Sequence, residues 1–400
     1  MKRYDILDGF RGYFLFFMLV NHLTFQGGSL LARVNHAELG YVQDAQGFIF
    51  ISGLIVGVYY ARGYQRDQHR EIDRKILLRA ATLFRYALFL VGIIVVLALL
   101  FPMTEAAWGD HMPEIYLSSP LTTIAGMVSL FYQPTYLDIL PQYIVYLAAC
   151  PLLIRWALKG HSQAVAVGSV LLWLAVQFAL HKPLVEGIEL LGQSLHPGFV
   201  TRSYFNPLAW QILFVGGLLI GCGLRTGTLD VEAWFGPQRS GFALLALGFV
   251  LFFLTYRLSI TFEVMPLELL DRFEQFSNRQ EFPLAYLLNF VALGYLVTWL
   301  MVSGARASSA IVRAIHRVPH LLFNARFLRF LGQHSLQVYT YHVLLVYGVL
   351  LFDQRHGPLP EAAKAAITIA AIASLALPAW LHANREQVWR RWRLAWEGLP

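Results

Sequence analysis

The stretch "DGFRGYFLFFMLVNH" (Asp8–His22) decides how this chain is read. It is apolar enough for a bilayer, yet it carries an aspartate, an arginine, an asparagine and a histidine. Such groups cost about 2.5–3.5 kcal/mol each when charged at the centre of a membrane helix, and they usually face a bundle interior or a cavity. At roughly 100° per residue, Asp8, Arg11, Leu15, Met18 and His22 fall on one helical face. Arg11 and His22 are about three turns apart, or ~16 Å along the axis. Asp8 and Arg11 stand at i, i+3 and can pair at one end. Two readings follow. In one, Asp8 and Arg11 form an interfacial pair and His22 is a satisfied polar contact. In the other, His22 is a general base, because imidazole titrates near neutral pH, and Arg11 holds an anion or orients the helix through Asp8. Asn21 joins this second reading as a cavity residue.

The remainder of the chain supports a membrane setting. Its 400 residues include only 14% charged ones, against about 25% in a typical soluble domain, and its mean hydropathy is positive. The net charge of +7 is spread over alternate loops instead of forming one patch, so nucleic acid is not an expected partner. Cys150 and Cys222 lie in apolar runs and make neither a disulfide framework nor a zinc site, and no metal is expected. The basic, then apolar start resembles a signal peptide, but Asp8 and Arg11 interrupt the apolar part and "TFQGGS" is a poor cleavage site, so it reads as a retained first span.

A span needs about 20 mostly apolar residues. Candidates lie near 8–25, 42–60, 84–101, 136–158, 163–181, 207–224, 241–257, 284–303, 335–352 and 361–382, giving an all-α polytopic protein with about ten transmembrane helices in one membrane-embedded domain, 1–400. Residues 120–131 suit a re-entrant or interfacial helix. Cations mark one side: Lys2 and Arg3, the run "RGYQRDQHREIDRKILLR", then Arg306, Arg313, Arg317, Arg326 and Arg329, and finally Arg385, Arg390, Arg391 and Arg393. Acids mark the other: Glu105, Asp110 and Glu114, then Glu263, Glu268, Asp271, Glu274 and Glu281. The positive-inside rule then puts both termini in the cytoplasm.

More polar residues recur at membrane depth. "YLDILPQYIVY" places Asp138 and Gln142 one turn apart, with Pro141 disturbing the helix. "FNPLAWQILF" carries Asn206, Trp210 and Gln211. "LGQHSLQVYTYHVLL" sets Ser335 and His342 two turns apart on one face. Each alone reads as a packing group; together they suit a shared cavity. In "FIFISGLIVG" the favoured reading is close helix packing through Gly53 and Gly57, with Ser52 a cavity candidate.

Taken together and in this order, "LDGFRGYFLFFMLVNH", "FIFISGLIVG", "LDILPQYIVYLAACPLL", "FNPLAWQILFVGG" and "FLRFLGQHSLQVYTYHVLL" resemble the OpgC-like family, which succinylates osmoregulated periplasmic glucans. They are more distantly similar to the acyltransferase family 3 enzymes. The resemblance implies transfer of an acyl group from cytoplasmic acyl-CoA to a hydroxyl of a periplasmic glucan or other envelope glycan, in the bacterial inner membrane; succinyl-CoA is the first candidate donor, with acetyl or another acyl group open. The Arg-(ten residues)-His spacing of the wider group is met by Arg11 and His22. On this view His22 activates the sugar hydroxyl, and Ser335, Gln142 or Trp210 supplies an oxyanion donor. Arg79, Arg85, Arg225, Arg326 and Arg329 are candidates for the donor's phosphates, although each also fits plain positive-inside topology. Trp108, Tyr116, Tyr132 and Tyr204 suit sugar stacking and equally suit interfacial anchoring. The rival readings are a glycan or lipid-linked-sugar transporter, an acyltransferase for another envelope polysaccharide, and a scaffold. Transporters often carry paired repeats with broken helices, and none is visible here.

Overall fold

The computed structural model describes residues 5–33, 35–117, 120–266, 268–269 and 278–387. Lys2, Arg3, Asp271, Glu274, Arg390, Arg391 and Arg393 of the charge pattern lie outside them. Among the described residues the chain is helical, with one isolated parallel bridge between Tyr132 and Arg202. The principal helices are α1 (Asp5–His22), α2 (Asp44–Gln65), α3 (His69–Leu100), α4 (Ile139–Trp156), α5 (Ser162–Gln177), α6 (Pro207–Thr226), α7 (Ser240–Thr261), α8 (Leu284–Ser303), α9 (Arg326–Gln333), α10 (Ser335–His356), α11 (Glu361–Ser374) and α12 (Ala376–Ala383).

Among the described residues, eight helical runs are long and apolar enough to cross a membrane. The difference from ten has two physical causes. Helix α1 carries Asp5, Asp8 and Arg11 within 18 residues, three charges that a bilayer penalises. Helices α4 and α5 form one run, Ile139–Gln177, of about 58 Å if straight, nearly twice a hydrocarbon core of about 30 Å. It is not straight. Gly160 sits at φ +91° inside it, a left-handed geometry that glycine adopts without penalty. The start of α4 lies at the N-terminal end of α6, where Gln142 donates to the Phe205 carbonyl at 2.9 Å and the Tyr146 hydroxyl to that of Pro207 at 2.8 Å. The end of α5 returns to the same level: Ser169 donates to Gln211 at 2.7 Å, and Trp173 to the Phe282 carbonyl at 2.8 Å. The run is a helical hairpin. Pro141 falls in the first turn of α4, where a missing N–H costs nothing, so it does not disturb the helix. The segment Pro120–Val128 is a nine-residue helix, too short to span.

The chain divides into two compact units, Met1–Arg33 with Leu321–Pro400, and Val34–His320. The second is organised on α2 and α6. Gln43 starts α2 with a capping box, its N–H donating to Gln46 Oε1 at 3.2 Å. Asn206 caps α6 by accepting from Leu208 N at 3.0 Å, with Pro207 at the first helical position. These helices run parallel and touch backbone to backbone. A Cβ on Gly53 would overlap the Phe214 carbonyl, one on Gly57 the Leu218 carbonyl, one on Gly217 the Phe50 carbonyl and one on Gly221 the Leu54 carbonyl. Two glycines four residues apart on each helix permit this approach.

In the first unit, α1 and α10 run parallel and α11–α12 runs back along them. Gly9 and Gly12 of α1 lie against the backbone carbonyls of Phe323 and Leu328, and Gly332 of α9 against that of Asp8. Beyond α1, a buried clasp fixes the next turn. Asp353 accepts from Gln26 N at 2.7 Å, and Lys364 donates to the Gln26 and Gly28 carbonyls at 2.9 and 2.7 Å and to Glu361 at 3.2 Å. Lys364 is only 4% exposed, and its three protons are all placed, which makes a buried ammonium tolerable.

Candidate functional site

The polar face of α1 points into its own unit. Asp8, Leu15 and Met18 are buried, and Arg11 and His22 half-buried. Both meet α10. The Arg11 guanidinium donates to the Ser335 hydroxyl. Two turns further along α10, His22 Nδ1 lies 3.2 Å from His342 Nε2, with the rings 5.4 Å apart between centres and inclined by 26°. His342 is fully buried, and its Nδ1 lies 2.6 Å from the Tyr339 carbonyl oxygen. Four residues singled out from the sequence, Arg11, His22, Ser335 and His342, are therefore brought together as two contacting pairs along one seam. Asn21 is half-buried beside them.

At the N-terminal end of the seam lie further groups. Arg329 pairs with Asp5, while Arg326 is exposed. His334 Nδ1 lies 2.9 Å from His382 Nδ1, and Arg385 donates to His382 Nε2 at 3.1 Å. Since arginine only donates, neutral His382 carries its proton on Nδ1 and gives it to His334. Sequence reasoning missed this cluster: α12 offers no periodic signal that pairs His382 with a residue 48 positions away. It also missed Lys364 and Asp353, which meet main-chain carbonyls and an amide of the loop after α1, besides the i,i+3 pair of Lys364 with Glu361.

The second unit holds the other candidates. Asp138 precedes α4 and is buried, as is Ser52, and Asp138 Oδ2 and Ser52 Oγ have no hydrogen-bond partner among the described residues. Gln142 donates to the Phe205 carbonyl. Trp210 spends its only N–H on the Gln280 carbonyl at 3.2 Å, so in this conformation it has no donor left for an oxyanion. Gln211 and Ser169 bond reciprocally, at 2.7 and 2.8 Å, a packing arrangement between α5 and α6. Asn206 is the α6 cap. Arg79, in the third turn of α3, and Arg225, in the last turn of α6, are half-buried, and Arg85 is exposed, its Nε donating to Ala81 of its own helix at 3.3 Å.

The aromatic candidates for sugar stacking divide by burial. Trp108 and Tyr132 are buried, which removes their faces from any external sugar. Tyr132 instead donates to Glu114, which also accepts from Arg202 at 3.1 Å. Burial, then this carboxylate, push the Tyr132 phenol up, so it stays a donor. Tyr116 is half-buried against Thr104 at 3.0 Å. Tyr204 is exposed, with the Arg279 guanidinium 5.3 Å from its ring centre.

Among the described residues there is no group of three metal-binding side chains. The seam is instead a set of proton donors and acceptors: one histidine held by another, and one arginine held by a hydroxyl. Groups of this chemistry are able to exchange protons and to bind anions. Residues 3–387 match the family described as OpgC protein. No curated protein and no solved structure matches the chain.

Proposed function

The chain belongs to the OpgC family, and from that premise we propose that it is an integral membrane O-acyltransferase. It transfers an acyl group, with succinyl the first choice, from acyl-CoA in the cytoplasm to a hydroxyl of a periplasmic glucan. The match over residues 3–387 carries this reading, and family membership implies an acyltransferase role in glucan modification. The His22–His342 pair supplies the base that the reaction needs.

A sugar hydroxyl is a weak nucleophile near neutral pH. His22 takes its proton as the oxygen attacks the thioester carbonyl. The C–O bond forms, the tetrahedral intermediate collapses, the C–S bond breaks, and the imidazolium returns the proton to the leaving thiolate. Ser335 lies two turns from His342 on the same face of α10 and is a candidate hydroxyl donor to the oxyanion, with Arg11 holding it. Arg326, Arg329 and the His334–His382–Arg385 cluster lie at the end of this unit that also holds the start of α1 and the end of α12. Placing that end in the cytoplasm satisfies the positive-inside rule and sets cations where CoA phosphates arrive. The bacterial inner membrane is the compartment in which such a donor and an external glucan meet.

The test supplies the purified protein in lipid nanodiscs with succinyl-CoA and glucan and follows free thiol release. Glucan-dependent release, lost in a folded His22→Ala variant, is expected, together with a glucan mass gain of one succinyl group. Glucan movement across vesicles with no thiol release would overturn the enzyme reading. Release with acetyl-CoA alone would replace the donor.

A further inference from the structure

We propose that His342 is a positioning residue that fixes the tautomer of His22, placing the basic lone pair of His22 on Nε2. The inference rests on the reading of His22 as the base and names what aims it. The Tyr339 carbonyl oxygen, 2.6 Å from His342 Nδ1, can only accept, so His342 carries its proton on Nδ1. In a neutral ring the other nitrogen, Nε2, then holds a lone pair. That nitrogen lies 3.2 Å from His22 Nδ1, and two facing ring nitrogens need one proton between them. It resides on His22 Nδ1. Neutral His22 is therefore protonated on Nδ1 and basic on Nε2. When Nε2 takes the hydroxyl proton, Nδ1–H continues to donate to His342, and the ring keeps its orientation through both half-reactions.

The arrangement has the logic of a Ser-His-Asp triad with one substitution: a neutral imidazole stands where the carboxylate would orient the base. Membrane depth gives the reason. A carboxylate at that position would bury a full negative charge in a fully enclosed site, whereas an imidazole accepts the same hydrogen bond without net charge. Tyr339 contributes twice, through its carbonyl and through its ring, 5.0 Å from His342 at 66°, which blocks rotation of the acceptor ring. Val338, Val343 and Val346 around it are buried.

The test labels histidine with nitrogen-15 in the full-length protein in nanodiscs and identifies His22 by the signal lost in His22→Gln. Wild type should show His22 protonated at Nδ1 and bare at Nε2. In His342→Leu, which cannot accept, the Nε2–H form should appear, and kcat should fall by about 10- to 100-fold, part of the roughly 10²–10⁴-fold that a positioned base contributes. KM for succinyl-CoA should stay within about twofold, since no donor contact is removed. His342→Gln, whose amide oxygen can accept from Nδ1–H, should restore the wild-type tautomer and most of kcat. An Nε2–H tautomer in wild type overturns the proposal, as do equal rates in the Leu and Gln variants. The spectrum reads the tautomer without turnover. A correct tautomer with no thiol release would therefore sink the acyltransfer reading alone, and a wrong tautomer in an active enzyme would sink the role of His342 alone. If His342→Leu does not fold, the wild-type spectrum still decides.

Discussion

Two helix seams in this protein join parallel partners by opposite means. Between α2 and α6, side chains are deleted: Gly53, Gly57, Gly217 and Gly221 let backbones touch, and dispersion holds the crossing. Between α1 and α10, side chains are kept and paired: Arg11 with Ser335, His22 with His342. Glycine appears on α1 too, but Gly9 and Gly12 are turned to Phe323 and Leu328, leaving the other face for polar groups. A seam closed by backbone contact has no room for chemistry and sets position. A seam bridged by titratable side chains costs stability in an apolar setting, and that cost points to function.

The comparison breaks most completely at the glycines. Gly53→Leu or Gly217→Leu drives a side chain into a partner carbonyl that lies in a rigid helix. Overpacking typically costs about 1–3 kcal/mol where neighbours can shift, and here they cannot, so monodisperse protein should be lost in size-exclusion chromatography. Next is His22→Ala, for which a normal elution profile and a melting temperature near wild type should accompany a fall in thiol release of about 10²–10⁴-fold. Should this variant unfold as readily as Gly53→Leu, the two seams would not differ in kind. Lys364→Met strands the Gln26 and Gly28 carbonyls, costs about 1–3 kcal/mol and should lower both melting temperature and kcat, since the turn after His22 is no longer held. Ser335→Ala removes the acceptor for Arg11 and the hydroxyl offered to the oxyanion, so kcat should fall by about 10²-fold, the low end of what one such donor contributes. The smallest effect should come from outside both seams. Glu232→Gln cuts the exposed 2.6 Å pair with Arg306, and thermal unfolding should not register it.

Much of this was legible in advance because periodicity carries direction. The 3.6-residue repeat aligned Asp8, Leu15, Met18 and His22 on one face, and that face is turned inward. The same reasoning placed Ser335 and His342 on a common face of α10. What periodicity cannot supply is the partner, because His22 and His342 are 320 positions apart and nothing local links them. Gly53 and Gly57 were readable as packing residues, but their complement, Gly217 and Gly221, lies in another span. At Asn206 and Gln211, polarity near a helix start suggested a cavity; Asn206 caps its own helix, and Gln211 accepts from the Ser169 hydroxyl and donates to the Ser169 carbonyl. The aromatics Trp108 and Tyr132 looked like surface platforms because they fall between spans, yet both are buried. Lys364 sits in an alanine-rich helix, where Glu361 three residues before it hints only at an ordinary surface pair and its other two ligands are main-chain oxygens far away in sequence, in the loop after α1.

Building one unit from both ends of the chain has a consequence for biosynthesis. Helix α1 leaves the ribosome ahead of α10 with its arginine and histidine exposed, and its partner follows 320 residues later. At about 5–20 residues per second, that is a wait of roughly 16–64 s during which a polar stripe sits in the translocon or the lipid without its mate. Nascent chains that stop before Ser335 should therefore be the ones that membrane proteases find, however well their middle portion has assembled.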